Sequence, residues 1–412
     1  MRFEFGFYSS LLLIFFVHGL VYGILLLRKA QKNNSASDNW LAFFLFLCIL
    51  YIAPWMLGFA GWYDNQPYRD IIFYVPFQHL FLIGPAVFFY VQTLLNPSFT
   101  FRKKDYWHFL PGLLYLAYAL LMFVTDKFIL KRYYFLEDGS DRDFDTWYQL
   151  TGFVSMLFYF IYSLRYYHLF KQLMLQVVSY AETLNFNWVR NFLIAFLLML
   201  GIKCFFMIGN LFPAFSKYSY WGSWWQYFSF AVVFYYIAIT GYSNAIETKI
   251  SFKLNLLQQK SPLLLLHPGT VNKETFEVTE DAEYVEIGSL GGMPQEEALL
   301  LQGWKQKVSE LLETERLYED PELSLTQLAR QLQTNPSFLS KIINQGFGIN
   351  FNDFINQYRV EAMKQQLILG EQKKQTLLGI AYDCGFNSKA TFNRSFKKAT
   401  GLSPKDWIEK NV

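Results

Sequence analysis

The chain has 412 residues and a net charge of +3; 53% of its residues are hydrophobic, 20% aromatic and only 17% charged. Soluble domains usually carry about a quarter charged residues, so this balance argues against a wholly soluble protein. Cys48, Cys204 and Cys384 fall in separate segments with no Cys-x-x-Cys spacing. A disulfide framework and a metal site are not expected, nor is a cofactor.

The average hides three parts. Residues 1–260 carry 20 basic and 13 acidic groups, a net +7; residues 261–320 carry 4 and 13, a net −9; residues 321–412 carry 12 and 7, a net +5. An acidic spacer therefore separates an oily part from a mildly basic tail. Nine of the eleven tryptophans lie before residue 226, in the oily part.

A membrane span needs about 20 mostly apolar residues. Seven segments qualify: 7–27, 40–61, 71–95, 108–125, 147–168, 189–212 and 223–243. Tyr or Trp marks many of their ends, as at Trp40, Trp62, Trp107, Trp147, Trp188, Trp221 and Trp224, which suits an aromatic belt. The first run leads into Arg28-Lys29-Ala30-Gln31-Lys32 without a small-residue cleavage site, so it reads as a retained helix. The Lys and Arg of the loops after spans one, three and five place those loops inside. The N-terminus is then outside and the C-terminus in the cytoplasm, in a multi-pass protein of the cell inner membrane.

Polar residues within spans are the place to look for sensing. His18, His79 and Lys203 each fall about 12–17 Å deep in the outer half, at 1.5 Å per residue. Two readings are open. In one, Lys203 and the histidines bind an anionic or hydrogen-bonding small-molecule ligand. In the other, Lys203 snorkels or bonds a carbonyl and the histidines pack between helices. No metalloprotease His-Glu-x-x-His, paired carboxylate or phosphate loop is present, so no enzyme is expected. Pro54 and Gly84-Pro85 read as kinks.

Residues 247–297 read as a cytoplasmic linker, rich in acids with Pro and Gly at its ends. A helix restarts near Gln295. Leu301, Trp304, Val308 and Leu311 form one apolar stripe, which is either a dimer seam or the first helix of the next domain. From Ser324 to Gln345, Leu325, Leu328, Ala329 and Leu332 give one core face. Asn335 caps a second helix, with Pro336 at its first position. That helix turns Leu339, Ile342 and Ile343 inward and Ser337, Ser340, Lys341 and Asn344 outward. One helix braces and the next offers polar side chains to a DNA major groove.

The pattern repeats at 377–399. Leu377, Ile380, Ala381 and Cys384 face a core, Gly385 turns the chain, and Phe392 and Phe396 secure a helix presenting Lys389, Asn393, Arg394 and Lys397. Between the repeats, Phe351, Phe354, Ile355, Tyr358 and Ala362 mark the buried side of a long joining helix.

The stretches LSLTQLARQL, NPSFLSKIIN, NFNDFINQYRVEAMKQQL, IAYDCGFNSKATFNRSFKK and TGLSPKDW, over about residues 310–410, resemble the AraC/XylS transcription regulators. The resemblance implies two helix-turn-helix units entering successive major grooves. It carries base and backbone contact onto Ser337, Ser340 and Lys341 in the first unit and Lys389, Ala390, Asn393 and Arg394 in the second. Arg359 matches a position that is usually structural. Many soluble members have a cupin-like sensor at the N-terminus; here the apolar segments stand in its place, as in a membrane-anchored branch of the family.

The expected protein is all-α: a seven-helix transmembrane bundle (1–246), a linker (247–297) and a DNA-binding domain (298–412) of two helix-turn-helix units joined by a long helix. The expected function is a membrane-embedded one-component transcription regulator. Its partners are double-stranded promoter DNA, the lipid bilayer, a small ligand and a second copy of itself. The rival is a membrane receptor that signals through a protein docked on the tail.

Overall fold

The computed structural model describes residues 4–96, 99–137, 142–181, 184, 186–209, 219–243 and 295–412. Most of the linker, including Leu263–Leu266, lies outside the described residues. The regular elements described are helices, with one isolated antiparallel bridge between Val178 and Ser324. The chain divides into two compact units: Met1–Tyr167 with Asn187–Thr248, and His168–Phe186 with Lys249–Val412.

The first unit contains α1 (Phe7–Asn33), α2 (Ala36–Phe59), α3 (Tyr68–Tyr74), α4 (Leu80–Leu95), α5 (Leu110–Val124), most of α6 (Arg142–Val177), α7 (Asn187–Gly209) and α8 (Ser219–Ser243). Among the described residues, four helical stretches are long and apolar enough to cross a membrane: Phe7–Asn33, Ala36–Phe59, Lys103–Ile129 and Asn187–Cys204. Leu80–Leu95 is apolar but shorter. α6 has the length, but it is not among the four.

The third apolar segment, expected as one helix, is two. α3 ends at Tyr74 and α4 starts at Leu80. Pro76 explains the break, because it lacks an N–H and holds the residue before it out of the helical region. Val75 is accordingly extended, at φ −77° and ψ 122°. Pro54 and Pro85 instead sit inside continuous helices.

α1 shows how this unit packs. Its buried side consists of Ser9, Leu12, Gly19, Gly23, Leu26 and Ala30. A Cβ at Gly23 would run into the Phe46 ring, and one at Gly19 into Ile49. Small residues four apart let two helices approach closely. The other side of α1 exposes Ile14, Val17, Leu20, Val21 and Ile24, and α5 exposes Leu113, Leu114, Leu120 and Leu121. Apolar outside and small inside is the reverse of a water-facing helix.

The direction of the helices is also set by contacts. The Trp224 indole Nε1 donates to the Tyr8 carbonyl (3.1 Å), and Lys29 Nζ donates to the Tyr242 carbonyl (3.2 Å). The first turns of α1 and α8 therefore meet, as do their last turns, so the two run parallel. The segments 62–70 and 126–135 are tied together. Lys127 Nζ and the Tyr133 hydroxyl reach Asp70 Oδ1 at 2.8 and 2.6 Å, and the Tyr74 hydroxyl donates to Asp126 Oδ2 at 3.0 Å.

The second unit contains α9 (Gln295–Glu315), α10 (Leu325–Gln331), α11 (Pro336–Ile342), α12 (Phe351–Ile368), α13 (Leu377–Asp383), α14 (Lys389–Thr400) and α15 (Pro404–Asn411), together with His168–Phe186. α9 starts where the apolar stripe predicts and packs as part of this unit. Val308 is buried, the Trp304 ring meets Phe338 edge-on at 5.1 Å, and the inward row continues at Leu312 instead of Leu311. Steps of four residues from Trp304 to Val308 to Leu312 keep one helix face.

Two pairs of short helices flank α12. Leu325, Leu328, Ala329, Leu339, Ile342 and Ile343 are buried in the first pair, with Phe351, Phe354 and Ile355 of α12 also buried. The second pair closes a core of Val360, Met363, Leu367, Ile380, Ala381, Phe386, Phe392, Phe396 and Trp407.

Candidate nucleic-acid interface

Each helix of the two pairs begins on a side-chain cap. Ser324 Oγ accepts from the Gln327 amide, and the Gln327 side chain accepts from the Ser324 amide, a reciprocal capping box. Asn335 Oδ1 accepts from the Phe338 amide at 2.6 Å, with Pro336 at the first position. Thr376 caps α13 and Ser388 caps α14. The Asn335 cap was legible in advance. The Ser324-x-x-Gln327 signal is equally local.

The turn of the second pair needs glycine. Gly385 has φ +91°, and a Cβ there would collide with the Tyr318 carbonyl and the Glu319 backbone. Cys384 beside it is buried, and desolvation raises its thiol to about 11. It is therefore a protonated, unreactive packing group at neutral pH.

α14 is strongly two-sided. Thr391, Phe392 and Phe396 are buried, with Phe396 edge-on to Trp407 at 5.9 Å. Lys389, Ala390, Asn393, Arg394 and Lys397 are all exposed. These five residues fall on the solvent side of one helix at successive turns. Partial burial lowers the Arg394 pKa, and the guanidinium remains cationic at neutral pH. Lys398, the next residue along α14, is engaged elsewhere: its Nζ pairs with Asp353 Oδ2 of α12 at 2.8 Å. That exposed pair is worth about 0–1 kcal/mol.

α11 presents less. Ser337, Lys341 and Asn344 are half-buried. Ser340, expected on the outer face, is turned inward and only 3% exposed, and its hydroxyl accepts from Asn344 Nδ2 at 3.2 Å. Ser340 stands within regular α geometry, one turn after buried Pro336 and one turn before buried Ile343, so it shares their edge of the helix. Regular α geometry stops at Ile342 and a wider π turn, Ile343–Phe347, follows, ending at Gly348 with φ +72°. The widened turn changes the angular spacing only from Ile343 on, and so bears on Asn344.

In the first unit, the three polar residues predicted to share one layer have different neighbours. His18 lies between Tyr22 and Tyr235, its ring tilted against theirs with centres 4.3 and 4.0 Å away. His79 stands at the N-cap position of α4, where its side chain makes no capping bond, and meets Tyr115 edge-on at 5.9 Å. Lys203 is buried, its Nζ 3.5 Å from the Tyr51 hydroxyl. The Tyr51 ring meets that of Tyr227 at a tilt (5.0 Å), and the Tyr227 hydroxyl accepts from Gln78 Nε2 at 3.2 Å. Gln78 also accepts from Gln149 Nε2 at 2.8 Å. A polar chain thus runs from α7 through α2 and α8 to the break before α4 and on to α6.

A family model described as a helix-turn-helix domain matches residues 328–410. Similar curated proteins include an uncharacterised HTH-type transcriptional regulator of Staphylococcus aureus (strain COL), 33% identical over 101 residues. Another is the uncharacterised HTH-type transcriptional regulator YtdP of Bacillus subtilis (strain 168), 33% identical over 85 residues. The two matches cover 24% and 21% of this chain, and 13% and 11% of those relatives. A solved structure of a Listeria innocua protein of unknown function is 28% identical, with a TM-score of 0.22; the match covers 29% of this chain and all of that one.

Proposed function

We propose that this chain, whose C-terminal part is a helix-turn-helix domain of the AraC type, is a membrane-embedded one-component transcription regulator. The observation that carries the DNA-reading half is α14. Lys389, Ala390, Asn393, Arg394 and Lys397 stand exposed above a side held down by Phe392 and Phe396. Such a helix suits a major groove. Arg394 suits a bidentate contact to guanine and Asn393 one to adenine, while Lys389 and Lys397 suit phosphates. Helices α10 with α11, and α13 with α14, are the two helix-turn-helix units in this reading. Ser337, Lys341 and Asn344 are the contacts of the first. Ser340 positions Asn344 from beneath.

The membrane half rests on different support. Seven spans need α3 and α4 to cross together, and α6 and α8 to cross with the four most apolar stretches. The parallel run of α1 and α8 agrees with an odd number of crossings from the first span to the last. It puts the two ends of the unit on opposite sides. The ties between 62–70 and 126–135 agree with both lying outside. In the bilayer, a buried lysine is a functional feature by default. We assign Lys203, with Tyr51, Tyr227 and Gln78 as its relay, to recognition of a small anionic or hydrogen-bonding ligand; His18 and His79 are further ligand candidates. A homodimer through this half doubles the DNA contacts.

The test is genome-wide mapping of the sites bound by the full-length protein, followed by footprinting on those promoters. Sequence-selective protection of two neighbouring half-sites is expected. Binding to a protein partner without any sequence-selective footprint favours the receptor reading and removes the regulator.

A further inference from the structure

The unit that holds the helix-turn-helix domain also takes in His168–Phe186, which in sequence separates the fifth and sixth apolar segments. α6 runs unbroken to Val177, and its last turns bury Phe170, Leu173, Met174 and Val177. Val178 then forms the antiparallel bridge to Ser324, and the Ser179 amide donates to the Leu323 carbonyl at 3.1 Å. Val178 and Ser179 are both 0% exposed.

The receiving side chains stand on α12. Asn352 Nδ2 donates to the Ser179 carbonyl at 2.7 Å and to the Val178 carbonyl at 3.4 Å. Arg359 Nη2 donates to Ser179 Oγ at 3.0 Å, and Nη1 lies 3.5 Å from the Ser179 carbonyl. The guanidinium also holds the Tyr318 and Asp320 carbonyls (2.8 and 2.7 Å) and Asn356 Oδ1 (3.1 Å). Arg359 is 1% exposed, and desolvation lowers it to about 10, so it stays cationic at neutral pH. A buried cation is tolerated only when its donors are satisfied. Two of its contacts here go to Ser179. The same residues brace the entrance to α10, because Tyr318, Asp320 and Leu323 precede its cap, Ser324.

We infer that Val178-Ser179 is the input element of the regulator: the DNA-binding unit docks on the loop after the fifth span through the Asn352–Arg359 socket, and this contact orders the first helix pair for DNA. The inference rests on the membrane-regulator reading above and names its route of control. α6 is one helix of 36 residues, about 54 Å long at 1.5 Å per residue. The loop held by the socket follows its last turn directly, so α6 is the covalent route from the fifth span to the socket.

Two experiments on the full-length chain in its membranes test this. Antiparallel bridge partners have Cα atoms about 4.5–5.5 Å apart, within disulfide reach. A V178C/S324C pair is expected to link under mild oxidation, read by mass spectrometry of the joined peptides. S179K sets a second cation against Arg359. It is expected to weaken protection at least tenfold on the half-site of the first helix pair while the other half-site keeps its footprint. Absence of the linked peptide overturns the inference, as does an S179K footprint identical to that of the unmodified protein. Should S179K lose both half-sites, S179A is read instead, and equal loss from both halves there overturns it too. An unmodified protein that protects no promoter defeats the regulator reading itself. A normal footprint without the linked peptide defeats the docking alone.

Discussion

α11 and α14 hold the same place in their pairs, yet they present different faces. α14 has twelve residues, an αL glycine cap at Gly401 and an exposed row of five polar or small residues. α11 has seven residues, runs into a π turn, and keeps Ser340 buried under Asn344. A shared motif sets where a helix starts and which side is apolar. How far the polar side reaches depends on helix length and on how the helix ends. Recognition by this domain is therefore expected to be unequal, with the second unit reading bases and the first mainly holding position.

The sharpest way to break that inequality is Gly385→Ala. It forces a β-carbon into the Tyr318 carbonyl at a positive φ. A loss of about 3 kcal/mol or more is expected, read as a lower melting temperature and loss of the second half-site. Next comes Arg394→Ala, expected to cost about 1–3 kcal/mol of DNA affinity and to relax one base preference. Unchanged specificity in a binding-site selection removes its role as a base reader. Asn335→Ala deletes the α11 cap and should cost about 1 kcal/mol of stability, with footprint weakening confined to the first half-site. The smallest effect is expected for Lys341→Ala. Affinity should fall evenly across sequences, and the salt dependence should lose a slope of about 1. A change in base preference there makes the first unit a reader after all.

Much of the DNA-binding unit was legible because its signals are local. Leu325, Leu328 and Ala329 repeat at helical spacing, Asn335-Pro336 announces a helix start, and Gly385 marks a turn. Each is decided within a few residues by backbone sterics and capping. Errors arose where packing chose a side or geometry departed from the regular period. Ser340 lies on the boundary between the polar and apolar sides of α11, beside Pro336 and Ile343, and packing places it inside; the π turn after Ile342 is invisible to a strict 3.6-residue count. Leu311 gave way to Leu312 because both fit a loose stripe and only packing chooses between them. In the oily part, the local signals Pro76 and Gly84-Pro85 act differently: Pro76 breaks the third segment between α3 and α4, while the helix absorbs Pro85.

By itself the sequence determined the helical periods, the caps, the split between an oily part and a basic tail, and the family likeness of the last hundred residues. All of these follow from short-range chemistry and composition. Only the tertiary structure decided that α1 and α8 run parallel, that Lys203 meets Tyr51, and that Ser179 fills the Arg359 socket. Ser179 and Arg359 are 180 residues apart, and no spacing rule links them. Their pairing exists because a buried guanidinium must find oxygens, and the fold brings those of residues 179, 318 and 320 to one place.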